Sequence, residues 1–337
     1  MSRRAGRRSL FSTYDLAPCP ACGEADARHV AGPEDVQREM EALWEFHSQR
    51  LRPETPPEYL ADRVAFSQRP PLKVVQCTRC GLVYRNPRER ETELRDIYAG
   101  ESPRRAVLES LFANQRVSSR EQVRRLTRVL GRAGSGLEVG SYVGAFLSAA
   151  RDAGWQFEGI DINDCVNAFA RERGLAVTLA DLGSFRPNRT FDAVAIWNCF
   201  DQLPDPRRAL LASYSLLRAG GVLAIRVPNG AFYARVRTLL DGPAAPLARA
   251  LLAHNNLLTF PYRHGFTVRA LTVLLENTGF RTRRVLGDSL VPIADAWTRA
   301  WARWEERAVK GVLRAITLRG RVGAAMAPWV EVYAGKE

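Results

Sequence analysis

An α/β chain with a doubly wound, seven-stranded and mostly parallel sheet, preceded by a small metal-binding subdomain, is what this sequence predicts. Three observations carry that expectation. From Gly136 onward, short apolar runs alternate with helical periods. The stretch "LEVGSYVGAFL", 137–147, reads as strand, glycine turn and helix. Nearer the start, "CPACG" and "CTRCG" repeat one cysteine knuckle.

The opening "MSRRAGRRSLFSTY" is basic but lacks the apolar run of roughly 7–15 residues that a signal peptide needs. No window approaches a membrane span, so a cytoplasmic location is expected. The formal charge of +13 raises the question of an anionic partner. Only three of the 49 cationic side chains are lysines, and the 46 arginines are spread along the whole chain. A compositional preference for arginine accounts for that spread at least as well as a nucleic-acid face does.

Three regions follow from turn residues and periodicity. Residues 1–86 hold both knuckles and, between them, an insert whose Val36, Met40, Leu43, Trp44 and His47 fall at helical spacing before "RPETPPE" breaks it. Residues 87–131 read as a continuous helical bridge ending at Gly131. Residues 132–337 carry the sheet, with strands expected at 136–140, 157–162, 176–180, 191–197, 221–227, 280–287 and 329–335. Helices are expected to begin near Val143, Asp164, Asp205 and Thr267. Two longer connections, 228–265 and 288–328, fall where they would roof the carboxyl ends of the strands, the edge at which such sheets bind ligands.

The knuckles supply four thiolates: Cys19 and Cys22, Cys77 and Cys80. Two residues between thiols let both sulfurs converge on one ion, and the glycine that follows permits the turn. Four ligands close a tetrahedral structural zinc site with no open position for catalysis. Cys165 and Cys199 read as ordinary buried residues.

At the glycine turn, Gly140 allows a sharp reversal and Gly144 lets the next helix approach the sheet. The dinucleotide pattern G-x-G-x-x-G is missing. Acidic residues instead punctuate the strand ends: Glu138 in the first, Asp161 in "GIDIN", Asp181 in "LADLGSF". Asp161 is placed to accept from both hydroxyls of a ribose, and Asp181 from an exocyclic amino group. Together they suit a cationic adenosyl ligand without phosphates.

Residues 136–280 resemble a class I S-adenosylmethionine-dependent methyltransferase, a Rossmann-like fold. "LEVGSYVGAFL", "GIDIN", "LADL", "FDAVAIWNCFDQLPDPRRAL", "LLRAGGVLAIRVPN" and "FTVRALTVLLENTGF" appear in that family's order. "CPACG…CTRCGLVYRNP" is similar to the zinc ribbon that precedes some of these domains, including certain sugar C-methyltransferases of deoxysugar pathways. The resemblance implies that Gly140 and its neighbours Tyr142 and Gly144 meet the methionine portion, Asp161 with Ile162 the ribose, and Asp181 with Leu182 the adenine. It also implies that Glu138 orients the turn and the ligand's amino group, and that Asn198 closes the site after the fourth strand. The sequence departs from the family pattern in two places. Tyr142 stands at a usual glycine, and Asn198 with Asp201-Gln202 stands where many relatives carry histidine and a Glu-His pair.

Methyl transfer from a sulfonium depends mainly on alignment, and a base is needed only where the acceptor loses a proton. His264, in "LAHNNLLTFPYRHGFT" with His254, Asn255, Asn256, Tyr262 and Arg263, and Asp201 are the catalytic candidates. Trp297, Trp301 and Trp304 fall on one helical face, read as packed. The acceptor expected is a small or medium-sized metabolite, such as a nucleotide-linked sugar or a secondary-metabolite intermediate. RNA methylation and a non-catalytic scaffold are the alternatives. "WNCFDQ" lacks the Asn/Asp-Pro-Pro-aromatic signature of enzymes that methylate base amino groups. Oligomeric state is not legible.

Overall fold

The computed structural model describes residues 14–55, 70–290, 297–317 and 321–337. The cysteine-bearing region runs β1 (Tyr14–Asp15), β2 (Ala27–Ala31), α1 (Pro33–Ser48), β3 (Val74–Cys77), β4 (Val83–Arg85) and β5 (Arg88–Glu89). Helix α1 is the insert between the knuckles. It starts at a proline, where a missing N–H costs nothing, and buries Val36, Leu43 and Phe46. Trp44, one of the expected periodic positions, is instead 38% exposed.

The bridge is two helices, α2 (Glu91–Gly100) and α3 (Arg105–Leu130). Continuity fails at Ser102-Pro103, because proline disfavours helical backbone in the residue before it. Gly131, at φ 84°, closes α3 with its N–H bonded to the Thr127 carbonyl, as the sequence expects.

The remaining elements are β6 (Ser135–Val139), α4 (Ala145–Asp152), β7 (Gln156–Asp161), α5 (Asp164–Arg171), β8 (Val177–Leu179), β9 (Phe191–Trp197), α6 (Pro206–Leu216) and β10 (Leu217–Pro228). Then follow α7 (Gly230–Arg237), α8 (Ala245–Ala253), β11 (His264–Gly265), α9 (Val268–Glu276), β12 (Phe280–Asp288), α10 (Ala300–Thr317), α11 (Arg321–Ala325) and β13 (Trp329–Lys336). The main sheet has the order β12-β13-β10-β9-β6-β7-β8. Its pairs are parallel except that β13 runs antiparallel to β10 and β12. The α/β class and the seven-stranded, mostly parallel sheet are therefore as the sequence predicts. Chain order reverses between β6 and β9, which opens a crevice at their carboxyl ends.

The cysteine-bearing region is stitched to this sheet. Strand β11, from the connection after β10, completes a four-stranded sheet ordered β11-β4-β3-β2, with His264 opposite Tyr84. The Thr267 hydroxyl caps α9 by accepting from the Ala270 N–H and donates to the Cys80 carbonyl. The cap of α6 is Asp205, whose carboxylate accepts from the Arg208 N–H.

Candidate functional site

A cavity of about 460 Å³ opens at the β6/β9 switch point. Its first end is built by the turn after β6. Gly140 (φ 68°) turns beneath Cys199, whose Sγ would lie 2.6 Å from an added Cβ. Gly144 (φ 73°) lets α4 begin against Leu175, 2.5 Å from where a Cβ would stand. Tyr142 holds φ 47° without being glycine, and Asn198 holds φ 55°. Such strained backbone persists only where the surroundings fix it, and both residues line the cavity.

Two carboxylates face each other here. Asp161 accepts from the Tyr142 N–H at 3.0 Å and the Asn163 N–H at 2.9 Å. Burial raises its pKa, and those amides together with that of Ile162 offset part of the rise. Each of its oxygens keeps a further lone pair for a ligand hydroxyl. Glu138 is buried, and its Oε2 has no hydrogen-bond partner in the protein. Burial, then the Asp161 charge, lifts its pKa well above the carboxylate range. A buried orphan carboxylate is costly, so this end is pre-formed for a cation that donates hydrogen bonds.

Further along the same wall sit Ile162, Asp181 and Leu182. Burial would raise Asp181, but the Ser184 hydroxyl and N–H and the Arg95 guanidinium, 3.6 Å away, bring its pKa below the ordinary value.

The second end is assembled from distant segments: His47 of α1, Tyr98 of α2, Gln115, Ser118, Ser119 and Gln122 of α3, and Asn256 and Tyr262 after α8. Trp197, Trp297 and Trp329 add indole surface, and the buried Trp197 Nε1 has no partner. At its floor Arg226, 3% exposed, donates to Asn198 Oδ1 at 2.5 Å and to the Ser289 carbonyl at 3.0 Å, and pairs with Asp288 at 3.3 Å. Its guanidinium stacks 4.5 Å from the Trp329 ring. Arg125 ties α3 to the sheet through Glu331 at 2.7 Å.

Of the expected cofactor residues, the cavity gathers Glu138, Gly140, Tyr142, Asp161, Ile162, Asp181, Leu182 and Asn198. Gly144 lies one step behind, where it sets the approach of α4. The catalytic candidates lie off the lining. Asp201 is fully buried beside Cys199, neither oxygen has a partner, and burial pushes its pKa up to about 7. Tyr98 and Tyr262, on the wall, feel its charge. His264 is fully buried in β11 with both ring nitrogens unpartnered, and burial drives its pKa well below the usual imidazole value. His254 packs 4.9 Å from Phe46 and is pushed down to about 4 by burial.

Cys199 lines the cavity, so its place is not that of an ordinary core residue. Sequence reasoning missed Arg226, although a lone arginine inside the apolar strand "GVLAIRV" is a visible signal. It also passed over His47, which carries no signal because its partners in space are remote in sequence. The three tryptophans expected on one packed face separate: Trp297 precedes α10 and lines the cavity, while Trp301 and Trp304 point outward.

Away from the cavity, the Sγ atoms of Cys19, Cys22, Cys77 and Cys80 all lie within 4.8 Å of one another. The Cys19–Cys80 and Cys22–Cys77 separations are 3.5 and 3.6 Å. Four ligands about 2.3 Å from a tetrahedral ion stand about 3.8 Å apart, so the donor set suits zinc.

The crevice lies at the carboxyl edge of a Rossmann-like sheet, at its switch point, with paired carboxylates on its wall. A profile of the methyltransferase domain family matches residues 112–285, slightly more than half of the chain. The chain belongs to that family and is an S-adenosylmethionine-dependent methyltransferase. A search of curated proteins found no match.

Among solved structures, it is similar to an S-adenosylmethionine-dependent methyltransferase of Thermotoga maritima described as a possible histamine N-methyltransferase. Identity is 17% and TM-score 0.46, over 67% of this chain and 91% of that one. It is also similar to one from Archaeoglobus fulgidus, at 19% identity and TM-score 0.45 over 68% and 98% of the two chains. The plantazolicin methyltransferase BpumL, solved with S-adenosylhomocysteine, aligns at 13% identity and TM-score 0.45 over 72% and 94%. No helix among the described residues is long and apolar enough to cross a membrane.

Proposed function

We propose that the protein methylates a small or medium-sized, hydroxyl-rich metabolite, such as a nucleotide-linked sugar or a secondary-metabolite intermediate. The observation that carries this is the contrast in the cavity lining. One end presents the acids Glu138, Asp161 and Asp181, and the other presents indoles, neutral amides and hydroxyls above the Arg226 floor. Flat apolar faces edged by neutral hydrogen-bonding groups match a ring that bears hydroxyls on its rim.

In this reading Asp161 with Ile162 binds the ribose, and Asp181 with Leu182 the adenine. Glu138 and the backbone at Gly140 and Tyr142 bind the methionine portion, while Gly144 and Asn198 hold the turn and the far wall. S-adenosylmethionine supplies, when bound, a methyl group already activated on a sulfonium. The chain's own part is alignment and a field of carboxylates, Glu138 and Asp161, that favours the cation. For an acceptor that loses a proton, Asp201, poised at about 7 behind the lining, is proposed to receive it only through a group on the wall such as Tyr262, because it does not itself reach the cavity. His264 is given no transfer role, because its place in β11 is that of a joint to the ribbon. Cys19, Cys22, Cys77 and Cys80 are proposed to hold a structural zinc. We further propose the division 1–86, 87–131 and 132–337, with 228–265 and 288–328 as the capping connections.

The test uses zinc-loaded protein, methyl-labelled S-adenosylmethionine, a panel of nucleotide-linked sugars and an unstructured RNA. Label in a sugar supports the reading. Label in RNA, with binding that falls steeply with salt, replaces it with a nucleic-acid enzyme.

A further inference from the structure

Helix α10 is turned inside out relative to an ordinary surface helix. Its inward face carries Ala302, Glu306, Lys310, Leu313 and Thr317, with the Lys310 ammonium bonded to Glu306 at 2.5 Å. Outward stand Trp301, Trp304, Val312 and Ile316, exposed by 49%, 76%, 60% and 60%. Their separations of three, eight and four residues keep them on one stripe. A monomeric surface rarely leaves such a run of large apolar side chains in water.

The charges on the helix are sorted as well. Of its two carboxylates, Glu306 faces inward and Glu305 is held by Arg50 at 2.8 Å. Arg303 and the exposed Arg307 lie on the row beside Trp304, while Arg314 reaches to Ser289 Oγ at 3.2 Å and stands 3.9 Å from Asp288. Indoles beside an arginine row, with the one acid on that side, Glu305, a third exposed but ion-paired to Arg50, are the composition of a helix that lies in a membrane interface. Two copies meeting antiparallel across this stripe would set the arginine rows side by side, so the charge disfavours that dimer.

We propose that this face seats the protein on an anionic lipid surface. Trp301 and Trp304 enter the headgroup boundary, and Arg303 and Arg307 meet the phosphates. Trp297, three residues before the helix, lines the cavity, so the docked face lies beside its second end. The inference is independent of the acceptor proposed above.

The test is co-sedimentation of the full-length, zinc-loaded protein with vesicles of phosphatidylcholine alone or with about one-third phosphatidylglycerol. Binding to the anionic vesicles only is expected. It should weaken about ten-fold or more in Trp301→Ser/Trp304→Ser and in Arg303→Gln/Arg307→Gln. Both variants should keep wild-type affinity for S-adenosylmethionine, which shows that they are folded. Absence of binding to anionic vesicles, or equal binding to both kinds, overturns the proposal. So does a dimer in light scattering that the tryptophan variant abolishes, because a second copy would then own the face.

Discussion

At the first end of the cavity, Glu138, Gly140, Tyr142, Asp161 and Asp181 come from one unbroken run of chain around three parallel strands. The second end draws His47, Tyr98, Gln115, Asn256 and Trp297 from five separate segments. Local geometry builds the first, because strand ends and glycine turns fix where its carboxylates point. Tertiary packing builds the second, which therefore depends on how the ribbon, the bridge and the capping connections dock. On the proposed reading, the difference makes cofactor binding and acceptor recognition separable, and substitutions can measure how separable.

The largest effect is expected from the structural zinc proposed for the four cysteines. Stripping zinc, or substituting Cys77→Ser with Cys80→Ser, should unfold the ribbon sheet that includes β11 and lower turnover of the acceptor by about 1,000-fold or more. Affinity for S-adenosylmethionine, followed by calorimetry, should change by no more than about three-fold. Equal loss of both would break the comparison, because the two ends would then be one folding unit.

Asp201 tests the seam between the ends. Its pKa is raised in the folded protein, so ionisation penalises folding progressively as pH rises from the ordinary 3.8 through about 7, and no penalty exists below that window. In urea titrations Asp201→Asn should match wild type near pH 4. At pH 8 the variant should be more stable by on the order of 2 kcal/mol. An unchanged pH profile would mean that the carboxylate is solvated or paired in solution.

Asp161→Ala should weaken S-adenosylmethionine binding by about ten-fold, or about 1.4 kcal/mol, because ribose hydroxyls would lose an acceptor that backbone amides pre-orient. An effect confined to the acceptor would reassign this end of the cavity.

The smallest change is expected for Arg226→Lys. A lysine cannot reach Asn198, Ser289 and Asp288 together, so kcat/KM for the acceptor should drop about five-fold, or about 1 kcal/mol, at constant cofactor affinity.

Legibility followed the same line. The strand ends at Val139 and Asp161 were visible because a short apolar run gives way to glycine or an acid at a fixed place. The four cysteines were visible because C-x-x-C-G spacing is itself a ligand geometry. The expected continuous bridge broke at Ser102-Pro103, where a proline rule competed with a strong helical period. The tryptophan face was misread because periodicity says which side chains share a face and leaves open whether that face is covered. Asp201 and His264 were selected by residue type, and their burial behind the wall is a matter of how β11 meets β4.

The sequence by itself determined the parallel sheet, the turn at its centre, the acids at its strand ends and the cysteine quartet, since each depends on neighbours a few residues apart. Only the tertiary structure decided that His47 of the insert reaches the cavity, that Arg226 forms its floor, and that α10 turns its indoles outward. Those outcomes depend on contacts between residues tens to hundreds of positions apart, which no local period encodes.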